Sequence, residues 1–213
     1  KVYEMISRGD CDGVFQLENS GMQDFMKRLR PQNIEDVIAG ISLYRPGPMD
    51  FIPKYIEGKQ NAEHVSYETS KLEPILKSTY GCIVYQEQVM QIVMELAGYS
   101  LGRADLMRRA ISKKHEDELA RERNNFVYGS EELGVPGCIK NGIPEDVANH
   151  IFDQMSDFAS YAFNKSHAAA YAVVAYETAW LKCYDPEDFM ASLMTSFKDN
   201  SAKLAKYIGS VKK

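Results

Sequence analysis

Apolar side chains spaced three and four positions apart constrain this chain more than any other feature. In residues 83–97, Val89, Ile92, Val93 and Leu96 keep that spacing and Gly98 follows. Such a stretch forms a helix with one buried face and a glycine to end it. The pattern recurs in Met22, Phe25, Met26 and Leu29, behind Ser20 as a cap and ahead of Pro31 as a stop. Asn33 caps the next helix, to about Leu43. Helices are also expected over 1–8, 50–57, 101–112 (capped by Ser100), 115–133, 144–163 and 168–183, and after Asp185 and Asp199/Asn200. The exception is short: a turn at Gly9-Asp10-Cys11-Asp12-Gly13, then an extended piece, Val14–Leu17. The expected fold class is mostly α, a multi-helix domain with little or no β-sheet.

The breaks are as informative. Two prolines around a glycine in Tyr44-Arg45-Pro46-Gly47-Pro48-Met49 cannot continue a helix and make a stiff loop. Residues 58–70 are polar and expected to be mobile. Residues 134–142 are a loop of Gly, Pro and Asn, the place for a subdomain break if 1–213 holds one.

Charge and cysteine use remove some function classes. The formal net charge is −5, which argues against a surface basic all over, as non-specific duplex binders have, and leaves room for a focal basic site. The four cysteines lie far apart with no CxxC, and the four histidines make no zinc pattern, so reduced thiols in a cytoplasmic protein are expected. No apolar run approaches a membrane span, and Lys1-Val2-Tyr3-Glu4 does not open a signal peptide. Without an initiator Met, the chain reads as an excised fragment.

Four places could carry chemistry. Asp10-Cys11-Asp12 has the oxygen ligands of a metal site, but Asp flanked by Gly is common turn chemistry, and no metal site is expected. Cys82, after Tyr80-Gly81, has no base beside it in sequence and makes a poor nucleophile. Arg103, Arg108, Arg109, Lys113 and Lys114 put five cations on one amphipathic helix and its exit. Guanidinium forks of this kind bind phosphate oxygens, although cations near a helix C-terminus are also favoured by the helix dipole. Lastly, Asn164-Lys165-Ser166-His167 stands at the mouth of an Ala-rich helix. Asn164 or Ser166 can cap that helix, whereas Lys165 beside a positive helix end is unfavourable unless solvated or paired, and a bound phosphate would pair it. The apolar face of this helix, Tyr171, Val174, Tyr176, Trp180 and Leu181, is expected in the core.

These segments, read together, resemble the bacterial DNA polymerase III alpha subunit family, the C-family replicative polymerases. The matching motifs are Gly13-Val14-Phe15-Gln16-Leu17-Glu18, Leu43-Tyr44-Arg45-Pro46-Gly47-Pro48, Tyr80-Gly81 with Tyr85-Gln86-Glu87-Gln88-Val89-Met90, Arg108-Arg109-Ala110 and Phe163-Asn164-Lys165-Ser166-His167. They run in family order over nearly the whole chain. The resemblance implies that residues 1–213 are the fingers region, with the palm, the N-terminal phosphoesterase-like domain, the thumb and the C-terminal regions absent. Palm motifs resembling Pro-Asp-x-Asp-x-Asp and Asp-Phe-Leu-Gly do not occur in the sequence.

The roles implied by the resemblance are those of a nucleotidyltransferase that copies DNA. Arg108 and Arg109 would contact the phosphates of the incoming dNTP, with Asn164, Lys165, Ser166 and His167 lining the nucleotide pocket. Arg45 and Gln86 would stand at the pocket or the template side. No catalytic residue is assigned to this segment. Mg2+ would be held by the palm, so that the fragment alone binds no metal and is inactive. Further implied partners are primer-template DNA and other polymerase III holoenzyme subunits, the latter through regions outside this segment, with no membrane. The alternative is a stand-alone helical module that binds DNA or another replisome protein.

Overall fold

The computed structural model describes residues 1–113, 116–159 and 162–211, with the backbone alone at 112, 113 and 159. Lys114, His115 and the side chain of Lys113 therefore lie outside the described residues. Among the described residues there are twelve α-helices: α1 Val2–Ser7, α2 Ser20–Leu29, α3 Ile34–Leu43, α4 Ile52–Gln60, α5 Glu73–Leu76, α6 Gln86–Ala97, α7 Leu101–Lys113, α8 Glu116–Tyr128, α9 Glu145–Ala159, α10 Lys165–Tyr184, α11 Pro186–Ser196 and α12 Ser201–Val211. Extended pairing among the described residues is limited to two isolated bridges, Tyr85 with Phe163 and Ser130 with Val135. The fold is mostly α, as the apolar spacing implies. No helix among the described residues is long and apolar enough to cross a membrane.

The chain divides into two compact units, Lys1–Tyr44 with Ser166–Lys213, and Arg45–Lys165. In the first, side chains at the helix starts occupy amide groups that have no partner within the helix. Asn19, one residue before the expected Ser20, caps α2 by accepting from Gly21 N at 3.0 Å. Asn33 Oδ1 accepts from Asp36 N at 3.1 Å while Asp36 Oδ2 accepts from Gln32 N at 2.8 Å, a reciprocal cap for α3. Asn200 accepts from Lys203 N at 3.0 Å at the start of α12. Met22, Phe25, Met26 and Leu29 are buried along one face of α2.

Two expectations fail in this unit. Val14–Leu17 is a turn, closed by Leu17 N on Val14 O at 3.1 Å with Gln16 at φ 62°. A lone extended piece would leave its amide groups without a ladder, whereas the turn satisfies one internally. The second concerns α10, which buries Ala168, Ala172, Ala175, Ala179 and Lys182, while Val174, Trp180 and Leu181 are exposed. Polar bonds fix that orientation. Thr178 Oγ1 accepts from Phe15 N at 3.1 Å, and the Lys182 ammonium donates to Asp10 Oδ1 at 2.6 Å, Asp12 O at 3.1 Å and Asp10 O at 3.2 Å. With the 10–15 turn held this closely, the small side chains face inward.

The second unit is built around α6. Val89, Ile92, Val93 and Leu96 are fully buried and share a core with Met107 and Ile111 of α7, Phe126 and Val127 of α8, and Ile151, Phe152 and Met155 of α9. Gly98 closes α6 in the left-handed conformation, φ 75°. The helix starts at Gln86 and not near Ile83 because Gln88 reaches back to the amides ahead of it: its Oε1 accepts from Val84 N at 2.8 Å and Tyr85 N at 3.0 Å. Its Nε2 donates to Thr79 Oγ1 at 2.8 Å and Ile75 O at 3.2 Å, so all four bonding positions of a buried amide are used.

The expected helix 115–133 stops at Tyr128 and is not wholly solvated, since Glu122 is buried in an ion pair with Arg103 of α7. Residues 58–70 are partly helical: α4 continues to Gln60 and 3-10 turns occupy Ala62–His64 and Ser70–Leu72. Helix α9 spans Glu145–Ala159, so Pro144 stands just before it. The 134–142 loop lies inside this unit, stitched to its helix ends by Gly137 N to Ala97 O at 3.0 Å, Cys138 N to Phe126 O at 2.8 Å and Asn141 Nδ2 to Leu96 O at 2.9 Å.

Candidate functional site

At the start of α6, residues 84–87 zip against 162–165. Phe163 N donates to Val84 O at 3.3 Å and Gln86 N to Phe163 O at 2.9 Å, a parallel bridge between Tyr85 and Phe163. The Gln86 side chain adds a bond from Nε2 to Ala162 O at 3.1 Å. Lys165 N, the first amide of α10, donates to both carboxylate oxygens of Glu87 at 3.1 Å each. Over this zip the Arg45 guanidinium lies 4.1 Å from the centre of the Phe163 ring, and the Lys165 ammonium 5.3 Å from that of Tyr85. Burial lowers the pKa of Arg45 from its ordinary value. Arg45, Gln86 and Lys165, far apart in sequence, are thus neighbours along one pair of segments, and exposed Asn164 lies on it.

Glu87 changes the account of the helix mouth. Sequence spacing raises a positive helix end beside Lys165 and offers a bound phosphate to neutralise it. The Glu87 carboxylate already occupies the first amide, so the chain supplies its own anion there. Ser166 and His167 are exposed in the first turn of α10, within the other unit, where the His167 ring packs on Tyr171 with centroids 4.3 Å apart.

Arg108 and Arg109 form a grouping of their own on α7. One carboxylate holds both: Asp105 Oδ1 accepts from Arg108 Nε at 3.1 Å and Nη2 at 2.7 Å, and Asp105 Oδ2 pairs with Arg109 Nη2 at 2.8 Å. These are the one-turn spacings i,i+3 and i,i+4 that bring helix side chains together. The Arg108 bonds hold the Asp105 carboxyl below its ordinary pKa. Arg108 is largely covered while Arg109 is 64% exposed. The same helix is anchored to α8 by the buried Arg103–Glu122 pair.

The Asp10/Asp12 turn is spoken for. Asp10 is bonded to Lys182, and Asp12 to Lys206 at 3.2 Å and Gln23 at 3.1 Å. Each carboxylate is neutralised by a lysine, which does not suit a divalent ion. Among the described residues no group of three or more His, Cys, Asp or Glu is placed to hold a metal. Cys82 is buried, and burial pushes its thiol up to about 11, the opposite of what a nucleophile needs. Sequence reasoning overlooked Glu87, Gln88, Asp105 and Lys182. Asp105 and Gln88 gave local signals, the first by its spacing to the two arginines and the second as a Gln three residues past the helix start; the partners of Glu87 and Lys182 are remote in sequence.

Comparison with known proteins fits this arrangement into a family. The family model described as the bacterial DNA polymerase III alpha subunit finger domain matches residues 1–134. Proteins named DNA polymerase III subunit alpha are similar over almost the entire chain. That of Deinococcus radiodurans is 50% identical over 220 residues, covering 100% of this chain and 16% of the relative. Its Thermus aquaticus counterpart is 49% identical over 213 residues, covering 98% and 17%. The Escherichia coli K12 protein is 46% identical over 211 residues, covering 96% and 18%. The chain therefore spans only 16 to 18% of these relatives. It belongs to the family of bacterial DNA polymerase III alpha subunit finger domains.

Proposed function

We propose that these residues grip the triphosphate of an incoming dNTP and position it for template-directed DNA synthesis by a larger polypeptide. The observation that carries this is the adjacent guanidinium pair on α7, two cations sharing one carboxylate with Arg109 open to solvent. In the reaction a primer 3′-hydroxyl attacks the α-phosphorus and pyrophosphate leaves. Arg108 and Arg109 neutralise the β- and γ-phosphate oxygens, where charge grows as the bond breaks. Asn164 and Lys165, and likewise Ser166 and His167, are assigned contacts to the nucleotide; Arg45 and Gln86 are assigned to the pocket or the template side. Mg2+ is assigned to palm residues outside this chain; the Asp10 and Asp12 carboxylates are paired with Lys182 and Lys206. Primer-template DNA and other holoenzyme subunits are the partners of the whole polypeptide.

The test is incorporation kinetics in the full-length polypeptide. Arg108→Ala or Arg109→Ala each removes a charge-assisted contact worth roughly 1.5–3 kcal/mol, or about 10- to 100-fold in kcat/KM. Lysine at either position restores only part of this, because the fork geometry is lost. Wild-type kinetics in the double alanine variant would leave the pair as helix decoration. A replisome interaction module is the second reading, favoured by the exposed Val173, Val174, Trp180, Leu181 and Tyr184 of α10. It expects Trp180→Glu to abolish a subunit contact while single-nucleotide incorporation stays intact.

A further inference from the structure

We propose that Asp105 is the counter-ion that a nucleotide triphosphate has to displace, and that it thereby sets the affinity of the arginine pair for phosphates. The inference rests on the nucleotide-binding role proposed for Arg108 and Arg109. Its own basis is the geometry of the carboxylate. Oδ1 takes two donors of Arg108, Nε and Nη2, and Oδ2 takes Nη2 of Arg109. Both oxygens are committed, and the donors they hold are of the kind a phosphate would use.

Three features make Asp105 a competitor for these donors and not a permanent clasp. The Arg109 side chain is 64% exposed, so a polyanion can reach its guanidinium while Asp105 still holds it. The Asp105 side chain is 32% exposed, so once displaced it can be hydrated; a fully buried carboxylate could not be released at low cost. A triphosphate also offers more oxygens and more charge than one carboxylate, so the exchange favours the nucleotide. The same carboxylate can retake both arginines as pyrophosphate departs, which prevents the product from remaining on the pair. Asp105 is a positioning residue in this account, acting through the arginines.

Removing the charge while keeping the shape separates this role from simple orientation. Asp105→Asn retains one acceptor oxygen and removes the carboxylate charge that both guanidinium groups share. If Asp105 competes, the KM for dNTP and the inhibition constant for inorganic pyrophosphate both fall, by the same factor. Two partly exposed ion pairs set that factor between about 2-fold and 25-fold. Asp105→Glu restores the charge and returns both constants toward wild type. The measurement is single-nucleotide incorporation by the full-length polypeptide, with pyrophosphate as competitor and circular dichroism to verify folding. It is repeated in an Arg108→Ala/Arg109→Ala background, where the Asp105→Asn effect is expected to vanish. A KM that rises or stays fixed in Asp105→Asn overturns the proposal, as does an effect that survives without the arginines. If the arginine double variant itself has wild-type kinetics, the nucleotide-binding role fails instead, and the two failures are distinct.

Discussion

Gln88→Leu tests the packing that holds the start of α6 and, with it, the 84–87 segment. The substitution keeps size and removes every polar atom of a residue that is 4% exposed. Thr79 keeps partners, because its hydroxyl also bonds Cys82 O at 2.6 Å and Leu76 O at 3.2 Å. The amides of Val84 and Tyr85 lose the Gln88 oxygen. Each buried amide left unsatisfied costs about 1–3 kcal/mol. Offset by the better transfer of a leucine side chain from water, the net loss is about 2–4 kcal/mol, against a total stability on the order of 5–15 kcal/mol. Urea unfolding followed by circular dichroism measures the loss, and hydrogen exchange at the two amides locates it. A leucine variant that loses less than about 1 kcal/mol refutes the reasoning.

Other consequences are more local. Lys182→Met removes a buried ammonium with three oxygen partners; because Asp10 is half exposed and can be rehydrated, the loss is about 2–3 kcal/mol instead of the larger cost of a fully buried orphan charge, as read by urea midpoint. Lys165→Ala is expected to cost about 0.5–1 kcal/mol through the lost contact with Tyr85; a more stable variant would mean that Glu87 does not neutralise the helix end. Burial pushes the thiols of Cys11 and Cys138 up to about 12 and that of Cys82 to about 11. Their protonated forms therefore favour the folded chain: this stability is fully present below the free thiol value of 9.0 and is lost as pH rises through 11 to 12. A urea midpoint that stays flat from pH 8.5 to about 11 would contradict it.

How much of this was legible in the sequence depended on how far apart the interacting groups are. The faces of α2 and α6 and the caps at Asn33 and Asn200 follow from neighbours within one or two turns, and spacing found them. The zip did not follow, because Gln86 and Glu87 meet Ala162 and Lys165 across more than seventy residues. Nothing local marks Glu87 as the partner of a helix start; read alone, it is one more charge in a first turn. The motif resemblance set Lys165 in the nucleotide pocket and Arg45 and Gln86 at the pocket or the template side; that the three are neighbours along one pair of segments comes from the structure alone. For the arginine pair the cations were read and their counter-ion was not, although Asp105 sits at the spacing that favours ion pairs.

Helix α10 shows why hydrophobicity order can mislead about which face turns inward. Two stripes run along it at helical spacing, one of alanines (168, 172, 175, 179) and one of bulky residues (Val173, Val174, Trp180, Leu181, Tyr184). Transfer free energy favours burying the second, since its side chains carry more apolar area. That comparison assumes the neighbours leave room for either face. Here the 10–15 turn is drawn against the helix by Thr178 and Lys182, at bond lengths that large side chains on that face would prevent. Lysine falls in the buried stripe because its ammonium finds three oxygens there, a circumstance no hydropathy scale contains. The buried face is therefore set by polar anchors at its far end, with alanine as the residue that lets them close.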